Sequence, residues 1–270
     1  MARPLVSFPD RNAMHPTMLR PLNVGEILDR SFSLYRSQFA PMLGTALTLY
    51  LPLAVLSVIF GVAAASGSDA ALLAGGALAL LIGPLMLVGV VLAVAALTYQ
   101  ASRAYMGHPA TVGEAVRHGF ARFFPLALAM ILTGIAVFLG LFGLLIGAVI
   151  VYVLLFAVIP AVVIERRGPL SALQRSAELA EGDWWRICAV VVVAGLIATL
   201  PSAAVELLMA SAVTADDPMT SGFVGALSAL VNALTYPFSV AATVIMYYDR
   251  RVRAEGLDVE LMAATAPAPA

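Results

Sequence analysis

The sequence predicts an all-α membrane protein of about six transmembrane helices, arranged as three hairpins, each preceded by a cytoplasmic-face amphipathic helix. Three observations carry this reading. The 270 residues are 61% hydrophobic and only 11% charged, with a mean hydropathy of +0.96. A soluble domain is roughly 25% charged, so a water-exposed surface is undersupplied here and lipid is the solvent that fits. Uncharged runs long enough to cross a bilayer recur along the chain. All fifteen basic residues are arginine, and they fall only on alternate connections between those runs.

A helix needs about 20 apolar residues to cross the hydrocarbon core. Residues 39–65 form the first such run and 70–100 the second, separated by Ser66-Gly67-Ser68-Asp69. Residues 123–164 hold no charge over 42 residues. At a 1.5 Å rise that is about 63 Å, twice the core thickness, so the run folds as two helices with a turn expected in the glycine-rich stretch 140–147. Residues 187–209 and 222–248 complete the set.

Arg3, Arg11, Arg20, Arg30 and Arg36 precede the first span; Arg103, Arg117 and Arg122 lie between the second and third. Arg166, Arg167, Arg175 and Arg186 lie between the fourth and fifth, and Arg250, Arg251 and Arg253 follow the sixth. The other connections hold no arginine, and two carry acid: Asp69, and Asp216 with Asp217. The positive-inside rule then puts both termini in the cytoplasm, in what reads as a bacterial plasma membrane. The exclusive use of arginine reads as codon bias in a GC-rich genome; the alternative is bidentate contact with lipid phosphates. The first 22 residues hold no apolar h-region, so no signal peptide is expected, and Met18 is a candidate start.

Each basic connection also carries a helical pattern. In the first, Val24, Ile27, Leu28, Phe32, Leu34, Tyr35 and Phe39 share one face, and Asn23 with Glu26 has capping-box spacing. In the second, Thr111 with Glu114 repeats that box, and Val112, Ala115, Val116, Phe120 and Phe123 form the stripe. The third starts at Pro169, with Leu170, Leu173, Ala177 and Ala180 recurring, and Trp184-Trp185 follow at the membrane interface. Val24-Gly25-Glu26 matches Val112-Gly113-Glu114, and Phe32 matches Phe120 at the same offset. The chain therefore divides into an N-terminal extension (1–22), a six-helix membrane domain (23–250) of repeat-like units 23–107, 111–167 and 168–250, and a C-terminal tail (251–270). Phe32, Phe120, Trp184 and Trp185 are the expected interfacial anchors, each unit's helix holding the hairpin that follows it.

Three of these segments carry a family resemblance: RPLNVGEILDRSFSLYRSQF, GPLSALQRSAELAEGDWWR and YYDRRVRAEGLDVEL. Over residues 18–262 the chain resembles the glycerophosphoryl diester phosphodiesterase membrane-domain family and related bacterial multi-pass membrane families of unknown function. In some members that membrane domain is fused to a catalytic barrel. Here only 22 residues follow Tyr248, too few for one. The resemblance implies an architecture and no activity.

The residues themselves offer no catalytic constellation. A phosphodiester hydrolase needs metal ligands or acid and base groups converging in one pocket. The histidines are His15, His108 and His118. Glu114 and His118 stand four apart with His108 nearby, but Glu114 is already used as a cap, so catalytic, metal and cofactor sites are all read as none. Cys188 stands alone. Glu206 is the only acid at the edge of a span, read either as an outer-interface anchor or as a solute or proton site. Pro160, Pro201 and Pro237 are expected to interrupt helices. With Thr199, Ser202, Asn232 and Tyr236 beside the last two, Glu206 defines a speculative polar cavity between spans five and six. Gly143 with Gly147 and Ser57 with Gly61 have small-residue spacing suited to close packing within the monomer.

The expected function is a non-catalytic scaffold or accessory subunit, with membrane lipids and an unidentified protein as partners and no nucleic acid. The alternative is a small permease or lipid-handling transporter using the cavity between the last two spans, and the third a membrane-embedded lipid or phosphodiester enzyme. The arginine pattern generates one prediction directly. Reporter fusions at residue 270 and near Asp216 are expected to report opposite sides of the membrane, with the C-terminal fusion cytoplasmic. A cytoplasmic signal from the Asp216 fusion would overturn the topology.

Overall fold

A computed structural model describes residues 20–210 and 218–257. Met18, Arg3, Arg11, His15, Asp216, Asp217 and the tail beyond 257 lie outside the described residues. The described chain is helical, in the order α1 (Val24–Ser37), α2 (Phe39–Ala65), α3 (Asp69–Tyr105), α4 (Val112–Ala121), α5 (Phe123–Gly140), α6 (Leu144–Leu154), α7 (Val158–Val163), α8 (Pro169–Ala180), α9 (Trp184–Met209) and α10 (Pro218–Glu255). Six segments are long and apolar enough to cross a membrane: α2, α3, α5, the α6–α7 segment, α9 and α10. Leu80, Leu81, Leu87, Phe124 and Phe142 lie fully on the outside of the bundle. Water would not sustain that surface; hydrocarbon does.

The starts of α1 and α4 are set locally. The Asn23 side chain accepts from Glu26 N at 2.8 Å while Glu26 accepts from Asn23 N at 2.8 Å. Thr111 and Glu114 repeat the exchange at 3.3 and 2.9 Å. Each box satisfies two N–H groups that have no partner within the helix. Gly67, at φ 62°, turns the chain from α2 into α3.

Prolines act unequally. At Pro160 the helix breaks: α6 ends at Leu154 and α7 restarts at Val158. Ser176 of α8, fully buried, repairs the gap by donating to Leu154 O at 2.8 Å and accepting from Ala157 N at 2.9 Å. Pro201 and Pro237, expected to interrupt, instead sit inside the continuous helices α9 and α10, as Pro52 and Pro84 do in α2 and α3. A proline needs only one missing hydrogen bond accommodated, and long helices packed on neighbours absorb it.

Packing departs from chain order. The most extensive contact joins the first span to the last, α2 with α10. It is made close by small residues: a Cβ on Gly222 would lie 2.6 Å from Ser57 O and 2.9 Å from Gly61 Cα. Ser57 and Gly61 therefore pack within the chain. Gly143 does not: nothing stands within 4 Å of its Cβ position, and Gly147 instead abuts the Gly140 backbone across the 3₁₀ turn Leu141–Gly143. Two of the three short helices, α4 and α8, rest mainly on spans that precede them, whereas α1 has no span before it among the described residues. α4 lies on α3 and α2, and α8 on α7 and α5; α1 closes the circuit on α10 and α9. On α8 the buried face is Ala172, Arg175, Ser176, Leu179 and Ala180, whereas Leu170 points outward. The apolar spacing misjudged that face because two polar side chains are drawn inward by specific partners.

Lipid is as apolar as leucine, so burying side chains between these helices gains little from the hydrophobic effect, and close approach matters more. Gly222→Ala is therefore expected to destabilise the detergent-solubilised protein by about 1–3 kcal/mol, read as a lowered thermal midpoint. Gly134→Ala, whose Cβ position is open, serves as the matched control. Equal midpoints would show that the α2–α10 crossing tolerates separation.

Candidate functional site: a hydroxyl-lined cavity beside a buried ion network

A cavity of 440 Å³ opens among α3, α5, the α6–α7 segment, α9 and α10. The volume lies in the range of small-molecule sites. Its wall is mostly aliphatic, but Thr98, Thr133, Tyr152, Tyr236, Ser239 and Thr243 also line it, and no charged side chain does. The Thr133 hydroxyl is buried without a hydrogen-bond partner among the described residues. Ser239 and Thr243 donate back to Tyr236 O and Ser239 O at 2.9 Å, the usual arrangement of hydroxyls in apolar helices. Gly134 and Gly195 line the wall with open space at their Cβ positions. Pro160 contributes as well, so the break between α6 and α7 shapes one side.

Thr243 and Tyr236 precede Arg250 in α10 by seven and fourteen residues, about 10 and 21 Å along the helix. The cavity thus occupies the half of the spans nearer the arginine end. One turn beyond Thr243, Tyr247 begins a network of charges. Its hydroxyl donates to Glu165 at 2.6 Å. The same carboxylate accepts from Arg167 Nε at 2.6 Å and Arg175 Nε at 3.0 Å, and Arg251 Nε stands 3.8 Å away. Glu255 joins Arg175 and Arg251. Between Glu165 and Arg167, Arg166 holds a left-handed φ of 60°, a conformation that disfavours a β-carbon and bends the loop back toward α8.

A second network adjoins it. Asp249 has no exposed side-chain surface. It accepts from Leu22 N at 2.6 Å, Arg186 Nη2 at 2.7 Å and Arg253 Nε at 3.1 Å. Arg250, also buried, donates to Leu179 O at 2.6 Å and Glu181 O at 2.8 Å and pairs with Asp183. These contacts tie the segment before α1, the α8–α9 junction and the end of α10 together, so both ends of the described chain lie at one end of the bundle.

The residues expected to form one polar cavity are divided. Ser202 meets Asn232, Oγ to Oδ1, at 3.3 Å, and Asn232 donates to Ser228 O at 3.0 Å. Thr199 is exposed; its hydroxyl donates to Gly195 O at 2.9 Å, and its carbonyl accepts from Ser202 Oγ at 2.9 Å. Glu206 is exposed too. Tyr236 faces the separate cavity just described and meets the Tyr50 ring edge-on at 6.1 Å. Ser202 stands three and four residues from Thr199 and Glu206, on the same side of α9, yet it alone is buried, against Asn232 of α10. Among the described residues no group of three metal-ligating side chains converges. Glu114 is held in its cap, and His118 stacks on Tyr99 at 4.2 Å while its Nε2 meets Val163 O at 3.1 Å. Phe32, Phe120 and Trp185 are exposed; Trp184 is half-buried, its indole N–H buried without a partner among the described residues. Sequence reasoning did not single out Glu165, Arg175, Tyr247, Asp249 or Arg250, whose acids and arginines alternate between two distant stretches.

No protein-family model, curated protein or solved structure matches this chain.

Burial works to raise the Glu165 carboxyl, but hydrogen bonds from Tyr247, Arg167 and Arg175 outweigh it and hold its pKa below the ordinary carboxylate value. Its ionised form therefore contributes stability that is fully present above the unfolded pKa of about 4.3 and is lost as pH falls through the lower folded value. Glu165→Gln is expected to lower the thermal midpoint at pH 7, by about 1–3 kcal/mol, and to remove part of the decline below pH about 4. Parallel acid limbs in the two proteins would assign that decline to other carboxylates.

Proposed function

We propose that this chain is a non-catalytic, lipid-handling membrane protein that holds a neutral, largely apolar molecule in the cavity between α3, α5, α9 and α10. The observation that carries the reading is the cavity itself: a 440 Å³ space within the spanning segments, aliphatic, hydroxyl-studded and free of charged side chains. A hydroxyl or carbonyl on the ligand would find partners in Thr98, Thr133 or Tyr236, while an ion would find no counter-charge and would face the full penalty of desolvation. That favours an amphiphile over a charged solute, and it replaces the cavity expected between spans five and six alone.

In the same reading the arginine end faces the cytoplasm, with both termini there, and α1, α4 and α8 lie at that interface as the amphipathic leaders of three repeat-like units. The likeness of Val24-Gly25-Glu26 to Val112-Gly113-Glu114, and the capping box shared by α1 and α4, support this. The resemblance to the glycerophosphoryl diester phosphodiesterase membrane domain enters as architecture only.

The test is photolabelling in native membranes with a diazirine-bearing long-chain alcohol, mapped by mass spectrometry. Label is expected on the cavity wall near Thr133 and Tyr236. Gly195→Leu, which places a side chain in open cavity space, is expected to abolish that label while leaving labels on lipid-facing α3 unchanged. Wall labelling that survives Gly195→Leu, or none at all in the wild type, would sink the proposal.

A further inference from the structure

The arginines divide into two groups. Arg20, Arg167, Arg175, Arg186, Arg250, Arg251 and Arg253 pair with carboxylates. Arg30, Arg36, Arg103, Arg117, Arg122 and Arg166 have no carboxylate within salt-bridge distance among the described residues, and three of these, Arg103, Arg117 and Arg122, lie at α4 and its two flanks. Arg103 ends α3, Arg117 lies mid-way along α4, and Arg122 stands between α4 and α5. Arg103 and Arg117 are exposed. Their charges both help lower the pKa of Glu114 at the start of α4, after the larger effect of its bonds with Thr111. Glu114 is engaged by Thr111 and neutralises neither.

A groove of 490 Å³ lies between α4, α2 and α3, with Val116, next to Arg117, among its lining residues. Val116 and Phe120 of α4 form its lip, and Leu49, Leu85 and Leu92 are among its walls. Phe120 is 61% exposed at that lip. On α4, Arg117 is about 60° around the helix from Phe120, on the side away from the buried Ala115 and Gly119. The groove therefore offers aliphatic walls to a chain and, at its edge, guanidinium groups without counter-ions.

Two other grooves on the bundle lack that combination. The 510 Å³ groove under Phe32 carries a carboxylate, Asp29, among its lining residues. The 660 Å³ groove lined by Ile146, Val149, Ile150, Trp184 and Trp185 is purely apolar at its lining apart from the indoles, and the adjacent Arg186 is occupied by Asp249 and Leu22 O.

We propose that the groove beneath Phe120 binds one anionic phospholipid, its acyl chain lying against α2 and α3 and its phosphate held by Arg103 and Arg117. Guanidinium groups suit phosphate because they donate in bidentate fashion, and an unpaired arginine at a membrane surface is free to do so. The site rests on the arginine end lying at a membrane surface, but not on the identity of the cavity's ligand.

Native mass spectrometry of the detergent-purified protein tests this, with dioleoyl phosphatidylglycerol and dioleoyl phosphatidylcholine as probes. One phosphatidylglycerol is expected to be retained under conditions that strip phosphatidylcholine. The Arg103→Gln, Arg117→Gln double variant is expected to lose it, as is Gly89→Phe, which fills the groove without touching a charge. Arg36→Gln, beside the Asp29-bearing groove, and Gly195→Leu, in the cavity, are expected to retain it. Thermal midpoints in lipid-free detergent serve as the folding control; a variant whose midpoint falls is replaced by Arg117→Gln alone, which is expected to weaken retention at least several-fold. Equal retention of the two lipids, retention by the double variant, or displacement of the lipid by inorganic phosphate as readily as by phosphatidylglycerol would each overturn the proposal.

Discussion

The buried carboxylate of Asp249 is the contact on which the arginine end of the molecule depends. It sits near the end of α10, beside Arg250 and Arg251, yet exposes none of its side chain. Its two oxygens are met by a backbone N–H from Leu22 and by Arg186 and Arg253, and the same arginines also bond to Leu22 O. A buried carboxylate left without such partners is strongly destabilising, whereas a fully satisfied one enforces geometry. Here the geometry enforced is closure. The segment entering α1 is held against the end of α10, so the first and last elements of the chain meet, and the packing of α1 on α9 and α10 follows.

From that closure the remaining arrangement can be reasoned. With α1 fixed on α10, the start of α2 is delivered beside the same helix, and the small residues Ser57, Gly61, Gly222 and Gly225 let the two spans approach closely. The glycines at the far end and the ion cluster at the near end therefore act on one helix pair from its opposite ends. The other spans lie around this pair. The helix is broken one turn before Pro160, Ser176 satisfies the carbonyl and amide left behind, and Leu155, Phe156 and Pro160 of that segment line the cavity. The same α8 residues that repair the break and hold Glu165 thus bind the cavity wall to the charge network.

Much of this is local and legible in the sequence. The capping pairs Asn23 with Glu26 and Thr111 with Glu114, the lengths of the apolar runs, and a turn between 140 and 147 all depend on residues a few positions apart. What stayed hidden depends on partners far away. Arg175 and Ser176 look like solvent-facing polar residues on α8, and only Glu165, Glu255 and the broken helix explain why they point inward. Thr199 and Glu206 do share a side of α9 with Ser202, but only Ser202 is covered by α10, a fact set by the packing partner and not by spacing. The cavity could not be read at all, because its wall is assembled from five spans whose hydroxyls are each ordinary on their own. One signal was present and unused: the arginines at 167–186 and 250–253 are interleaved with acids, whereas those at 103–122 have Glu114 alone.

That contrast bears on why the chain uses arginine throughout. In the paired group, Arg175, Arg186 and Arg250 each donate to two or more acceptors at fixed angles, including backbone carbonyls. A lysine ammonium, a point charge on a flexible stem, could not span those acceptors at once. Codon bias alone would supply arginine at such positions without using its fork. In the unpaired group the fork is idle within the protein, and the surroundings differ: an aliphatic groove, an exposed phenyl ring and a helix lying across the ends of two spans. Electrostatics gives no reason to hold three cations within one short stretch without counter-charge unless the counter-charge is outside the chain. At the surface of a bilayer the phosphate layer is such a counter-charge. Glu165, Asp183, Asp249 and Glu255 are placed so that they engage the arginines that close the bundle, and it is the placement of the acids that decides which arginines remain without a partner inside the chain.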